Sequence, residues 1–172
     1  LLAAPALRTM SGRRYLVGYR DRALLHVGFL LGLRRSELAG LVIGDLGRDE
    51  ASGYPTLTVL VAKRREHRLR ALRPEVLAAI HDYLDARATP LRRDELPAEA
   101  PLFVQHRRLA GGPEVGIQPG HVDYIVRRWA KEAGIKRSAS GGARGQVSAH
   151  SMRGTFITRA LGAGANLQLV AT

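Results

Sequence analysis

Cysteine is missing from the 172 residues. With it go a disulfide scaffold, a thiolate zinc site and a cysteine nucleophile, and a reducing compartment, the cytoplasm, is the simplest setting. No apolar run approaches the ~18 residues of a membrane span. The apolar start from Leu1 to Leu7 lacks the basic head of a signal peptide. The reading is therefore neither membrane-bound nor secreted. The six histidines are scattered with no pair at metal-ligand spacing, so no metal is expected. Gly111, Gly112 and Gly116 lack the lysine and helix start of a phosphate loop, and Gly141 to Gly145 follows no strand. Acidic residues are scarce: 15 Asp and Glu face 27 Lys and Arg, a formal charge of +12. With 45% hydrophobic and 24% charged residues, that excess sits on a folded globule and not on a disordered tail. A polyanion is the expected partner, nucleic acid being the commonest, against the alternative of a basic surface serving solubility alone. A chain of this length buries about 70% of the surface its unfolded form exposes, enough for one domain.

Hydrophobic spacing predicts the elements. Residues 1 to about 20 show no sustained period and read as a short helix or strap. From Asp21, placed to cap a helix, Leu24, Val27, Leu30 and Leu31 recur at helical spacing up to Gly32, a stop signal. A short helix from about Leu33 to Leu41 follows. The β-branched run within Tyr54 to Ala62 and the alternation Leu69 to Leu72 predict an antiparallel hairpin connected by Lys63 to His67. A helix opens at Pro74 and shows Val76, Leu77, Ile80 and Leu84 on one face. Residues 88 to 118 are proline-rich loop with a short extended piece at Leu102 to Val104. A helix from about Gly120 to Ala133 carries Val122, Ile125, Val126 and Trp129 on one face, and Ser138 to Gly145 reads as loop. The last long helix starts at Ser148 as N-cap and runs to about Leu161, burying Met152, Phe156, Ala160 and Leu161. Asn166 is placed to cap another. The fold class is α+β, mainly α, with a small antiparallel hairpin or sheet beside a helical bundle.

Three groups of charged residues interrupt this pattern. Arg34 and Glu37 are neighbours on one helix face, so the carboxylate can hold the guanidinium; taken alone, the pair reads as an exposed salt bridge worth under ~1 kcal/mol. Lys63 follows the β-run and opens a cluster with Arg64, Arg65, Arg68, Arg70 and Arg73. A basic hairpin tip can follow a phosphate backbone, and a semi-desolvated lysine can act as a general acid. A solvated turn is the better account of Arg64, Arg65 and Arg70. His150 and Arg153 point the same way from a helix and can converge on one phosphate, the arginine clamping oxygens and the histidine moving a proton. A capping histidine beside a solvent arginine is the alternative.

The order of the three groups is more specific than any one of them. Gly32, Leu33, Arg34, Ser36, Glu37 and Leu38, then Lys63, then His150 and Arg153 resemble the catalytic domain of the tyrosine site-specific recombinases, the phage-integrase and Xer family. The likeness runs from about residue 20 to the end. It implies a tyrosine-recombinase-like catalytic domain acting on double-stranded DNA. By the resemblance, a tyrosine attacks the scissile phosphate to give a 3′-phosphotyrosyl link and a free 5′-hydroxyl, with no metal, nucleotide or other cofactor. On this resemblance Arg34 and Arg153 stabilise the non-bridging oxygens, Lys63 protonates the leaving oxygen, and His150 moves a proton or bonds the phosphate. Glu37 orients its neighbours. Arg64, Arg65, Arg68, Arg127, Arg128 and Lys131 remain candidates for ordinary DNA-backbone contacts or for solvent.

Two departures accompany the resemblance. The family carries a further His or Trp and then the nucleophilic Tyr beyond H-x-x-R, and neither is present here; Tyr15, Tyr19, Tyr54, Tyr83 and Tyr124 occupy no matching position, and Tyr124 is expected to pack beside its helix neighbours. The N-terminal DNA-clamping domain is absent too. Residues 1–172 therefore read as one catalytic domain truncated at its C-terminus, inactive by itself and monomeric when isolated, from a parent that acts as a homo-tetramer on DNA. The alternative is a recombinase-like module that binds DNA without cleaving it. A type IB topoisomerase fits the size and motif order less well.

Overall fold

Leu16–Leu31 form α1, a helix that starts five residues before Asp21 and ends where Gly32 turns left-handed at φ 65°. In the computed structural model, which describes residues 1–8, 12, 15–61, 66–91, 96–105, 114–135 and 147–166, Asp21 is no cap. It lies inside α1, wholly buried, with Arg20 beside it 2% exposed. Arg20 Nη2 donates to Asp21 Oδ1 at 2.6 Å, and Trp129 Nε1 donates to Oδ2 at 2.7 Å. A capping signal and a buried ion pair use the same residue types, and only a partner 108 positions away tells them apart. Replacing Trp129 by Phe leaves Asp21 Oδ2 without that donor. The expected loss is roughly 1–3 kcal/mol, read from chemical denaturation.

After α1 come α2 (Arg35–Gly40), a 3₁₀ turn (Ile43–Asp45), β1 (Leu46–Arg48), β2 (Pro55–Val61), β3 (Glu66–Ala71), α3 (Pro74–Leu91), α4 (Pro119–Glu132) and α5 (Ala149–Gly162). The expected hairpin is a three-stranded antiparallel sheet in the order β1-β2-β3. β1 contributes only Leu46, Gly47 and Arg48, opposite Leu57, Thr56 and Pro55, too short for a β-pattern to register in the sequence. Because side chains alternate across a sheet, the pairings Leu57↔Arg70 and Val59↔Arg68 put these arginines on the face where Leu57 and Val59 are buried. α3 reaches Leu91, so the loop expected from residue 88 begins later. The piece around Leu102 to Val104 is extended as expected, bridging Val42 to Pro101 and Val104 to Gly116. The buried Arg87 ties it down by donating to the carbonyls of Pro101 and Leu102 and to Glu114. Ser138 to Gly145 and the helix expected after Asn166 lie outside the described residues.

α1 is the central member, packed on α3 and α5, while α4 packs on α2 and α5. Two glycines one turn apart let α5 approach α1. A Cβ on Gly28 would meet the Met152 terminus at 2.8 Å, and one on Gly32 would meet the Phe156 ring at 2.3 Å. Met152 is fully buried and Phe156 half-buried, whereas Leu161, expected inside, is 38% exposed. Val122, Ile125, Val126 and Trp129 are buried as the helical period predicts. Tyr124 is 58% exposed and packs beside a helix neighbour as expected, its ring 5.6 Å from that of His121.

His121 sits 3.5 Å from Arg20 Nη2. Burial and then the Arg20 charge hold its pKa below 6.5, with Asp21 opposing. The folded state therefore resists protonation while the unfolded chain takes up a proton near 6.5. Stability from this group is present above about pH 6.5 and lost as pH falls through the lower folded value. Urea unfolding of the native chain should weaken from about pH 7.5 to about pH 5.5 by more than that of His121→Gln.

Candidate active site

Arg34 sits at the N-cap of α2 with extended backbone, and Glu37, three residues on, reaches back to it. The Arg34 N–H donates to Glu37 Oε2 at 2.7 Å and its Nη1 to Oε1, also at 2.7 Å. The guanidinium stays 47% exposed while the carboxylate is 8% exposed. One end of the pair is thus anchored and the other presented to solvent, which is the holding geometry that the sequence spacing predicts.

His150 and Arg153 lie in the first turns of α5. Ser148 caps this helix as expected, its side chain accepting from the Ser151 N–H. His150 is exposed and Arg153 half-buried. Arg153 Nη1 donates to the Gly32 carbonyl at 2.8 Å, spanning 121 positions and joining α5 to the end of α1 next to Arg34. Gly32 therefore stops α1, admits Phe156 and accepts from Arg153.

These elements enclose an open cleft of about 690 Å³, lined by Arg34, Arg35, Ser36, Asp123, Arg127, Ser148, Ala149, His150 and Arg153. The start of α5 faces it, so the positive end of that helix's dipole adds to the charge of the arginines. Burial lowers the pKa of Arg153, and the charges of Arg34, Arg70 and Arg68 lower it further against the pull of Glu37. Arginines gathered this closely, with Glu37 and Asp123 as their carboxylate partners, leave the cleft positively charged.

The structure brings together Arg34, Glu37, His150 and Arg153, and adds Arg127 from α4 to the cleft. Lys63, Arg64 and Arg65 lie outside the described residues, between strands whose ends Val61 and Glu66 pair. Arg128 is half-buried and lies over the Trp129 ring at 4.7 Å, and Lys131 is exposed farther along α4. Neither lines the cleft.

Two participants were not legible as such. Arg70, expected in solvent, is half-buried, and its Nε is buried with no hydrogen-bond partner among the described residues. Burial and the Arg68 charge lower its pKa while Glu37 raises it. Only Leu72, two positions on and buried, signalled an inward face; Leu69, on the opposite face, is 56% exposed. Asp123 is the second. Its Oδ1 accepts from the Ala149 N–H at 2.9 Å and its Oδ2 from Arg35 Nη1 at 2.8 Å. Burial would raise this carboxyl, but the Ala149 N–H and Arg35 outweigh it and hold it below 3.8. Nothing in the sequence marked Asp123, since both partners are remote along the chain.

Among the described residues no group of three or more metal-ligating side chains is placed to hold a metal ion, and no helix is long and apolar enough to cross a membrane.

Known proteins share both sequence and architecture with this chain. The tyrosine recombinase XerC of Pelobacter propionicus is 32% identical over 155 residues, 89% of this chain and 42% of the relative. XerC of Pelotomaculum thermopropionicum is 34% identical over 157 residues, 90% of this chain and 45% of the relative. The chain thus spans less than half the length of these curated relatives. Among solved structures, the XerH site-specific recombinase bound to its difH substrate in a pre-cleavage complex superposes with a TM-score of 0.65 at 21% identity, covering 90% of this chain and 39% of that one. The integrase of mycobacterium phage Brujita gives 0.58 at 23% identity, covering 88% and 41%. These likenesses show the tyrosine-recombinase catalytic fold, and the profile of the phage integrase family matches residues 9–172: the chain belongs to that family.

Proposed function

We propose that this domain breaks and rejoins strands of duplex DNA through a 3′-phosphotyrosyl intermediate. One observation carries the reading: Arg34, His150 and Arg153, from the two ends of the chain, line a single cationic cleft. A phosphodiester there places its non-bridging oxygens against Arg34 and Arg153, which neutralise the charge that grows on them in the transition state. The tyrosine oxygen forms a bond to phosphorus as the bond to the 5′-oxygen breaks. Lys63 supplies the proton to that oxygen, and His150 bonds the phosphate or takes the tyrosine's proton. Glu37 fixes Arg34 for this task. None of the five tyrosines lines the cleft, so we assign the nucleophile to a residue outside this sequence. Residues 1–172 are then the catalytic domain of a longer cytoplasmic protein that works as a tetramer on DNA, the isolated domain being monomeric. The DNA-bound state of the XerH relative supports the partner assignment.

Nicked duplex DNA offered to the parent protein should trap a covalent adduct that survives denaturation and carries a 3′-phosphotyrosine. Absence of adduct with the tyrosine present overturns the cleavage reading. DNA affinity untouched by Arg34→Ala and Arg153→Ala would then identify a binding module. Backbone contacts are read from salt dependence. Arg127→Ala should lower the slope of log affinity against log salt by about 0.9. Arg128→Ala should act mainly on stability, because its guanidinium rests on Trp129. Titration by fluorescence anisotropy at several salt concentrations checks both.

A further inference from the structure

A carboxylate lining a cleft built for an anion opposes the ligand, so Asp123 calls for a compensating role. Both its oxygens are committed within the protein. Oδ1 accepts the N–H of Ala149, the first residue of α5 and the one before His150; Oδ2 accepts from Arg35, the first residue of α2 and the one after Arg34. The first backbone N–H groups of a helix have no partner inside it. Ser148 takes up the amide of Ser151, and Asp123 takes up that of Ala149 from a different helix. The carboxylate is 16% exposed and its bond to the Ala149 N–H is part-buried, whereas the Arg35 side chain, 59% exposed, leaves the other bond open to solvent. α2 and α5 both pack on α4, which makes α4 the common body against which the residues on either side of the cleft are set.

We propose that Asp123 is a positioning residue: by accepting the Ala149 N–H it fixes the first turn of α5, and with it His150, opposite Arg34. Its kinetic consequence rests on the strand-cleavage reading. Asp123 donates nothing to the substrate in this role, so its loss slows the reaction within the bound complex without weakening DNA binding, which the removal of a negative charge from the cleft favours. Small misplacements of a catalytic group are costly, because the attack geometry is no longer met.

The test uses Asp123→Ala, which removes the acceptor, and Asp123→Asn, which retains an amide oxygen for the Ala149 N–H. In the parent protein, Asp123→Ala should slow adduct formation at saturating nicked DNA by about tenfold or more, with DNA binding no weaker than native. Asp123→Asn should recover most of the rate. In parallel, hydrogen exchange of the Ala149 amide should accelerate by about tenfold or more in Asp123→Ala and stay near native in Asp123→Asn. Asp123→Ala cleaving at the native rate, or Asp123→Asn as slow as Asp123→Ala, overturns the proposal. If the native parent itself forms no adduct, the cleavage reading falls and the exchange measurement decides alone: a native-like Ala149 amide in Asp123→Ala overturns the positioning role, an accelerated one supports it.

Discussion

Arg34→Ala and Arg153→Ala should each slow adduct formation by roughly two to three orders of magnitude, the usual cost of removing one preorganised donor to a transition-state oxygen. The effect is expected mainly in the rate at saturating DNA. Many other cations share the attraction for the backbone, whereas few groups meet the charge that develops at the scissile phosphate. The double variant should lose less than the product of the single losses, since both arginines serve one phosphate and act as a unit. Lysine is a poor replacement at either position. Arg153 already spends one nitrogen on the Gly32 carbonyl, and Arg34 one on Glu37. A point ammonium cannot serve a protein acceptor and a phosphate oxygen in the fixed planar geometry of a guanidinium. Single-turnover cleavage of nicked duplex, measured beside equilibrium binding, separates these outcomes. Equal losses in rate and in affinity would remove the transition-state role.

Gly32→Ala should destabilise the helical core strongly, with a loss of roughly 2–4 kcal/mol. Two costs add. At φ 65° the backbone is in the left-handed region that a Cβ disfavours, and the added carbon would lie 2.3 Å from Phe156 Cδ1 and 3.1 Å from its Cβ. A side chain approached at its Cβ cannot swing away without moving α5. That movement would also displace Arg153, whose bond to the Gly32 carbonyl depends on the same approach. Gly28→Ala is the control. It too would press on α5, but its new carbon meets the flexible end of Met152, and a helix-interior Gly→Ala exchange regains up to about 1 kcal/mol of propensity. Thermal unfolding should show a fall of roughly 5–10 °C for Gly32→Ala and little change for Gly28→Ala. Similar melting of the two would show that α5 accommodates a side chain at Gly32.

Much of this was legible in one dimension. Val122, Ile125, Val126 and Trp129 declare the buried face of α4 by spacing alone, because a helix turns its own neighbours to one side. Ser148 reads as a cap because its partner, Ser151, lies within the same turn. Arg34 and Glu37 pair at a separation the sequence displays. The motif order, Gly32 to Leu38 and then His150 and Arg153, identified the family before any geometry was known.

What failed was remote. Asp21 had the residue type of a cap and the setting of a buried counter-ion, and the choice between them depended on Trp129. Arg70 looked solvated until its pairing with Leu57 turned it inward. Asp123 carried no local sign, since its two partners belong to helices that meet α4 only in the folded chain. By itself the sequence determined the helical periods, the Ser148 cap and the family, all set by interactions within a turn or two or by the order of residue types. Tertiary structure alone decided which charges are buried, which are presented and what holds α5 against α2, because the energy of a charge depends on the partners and solvent that folding brings to it.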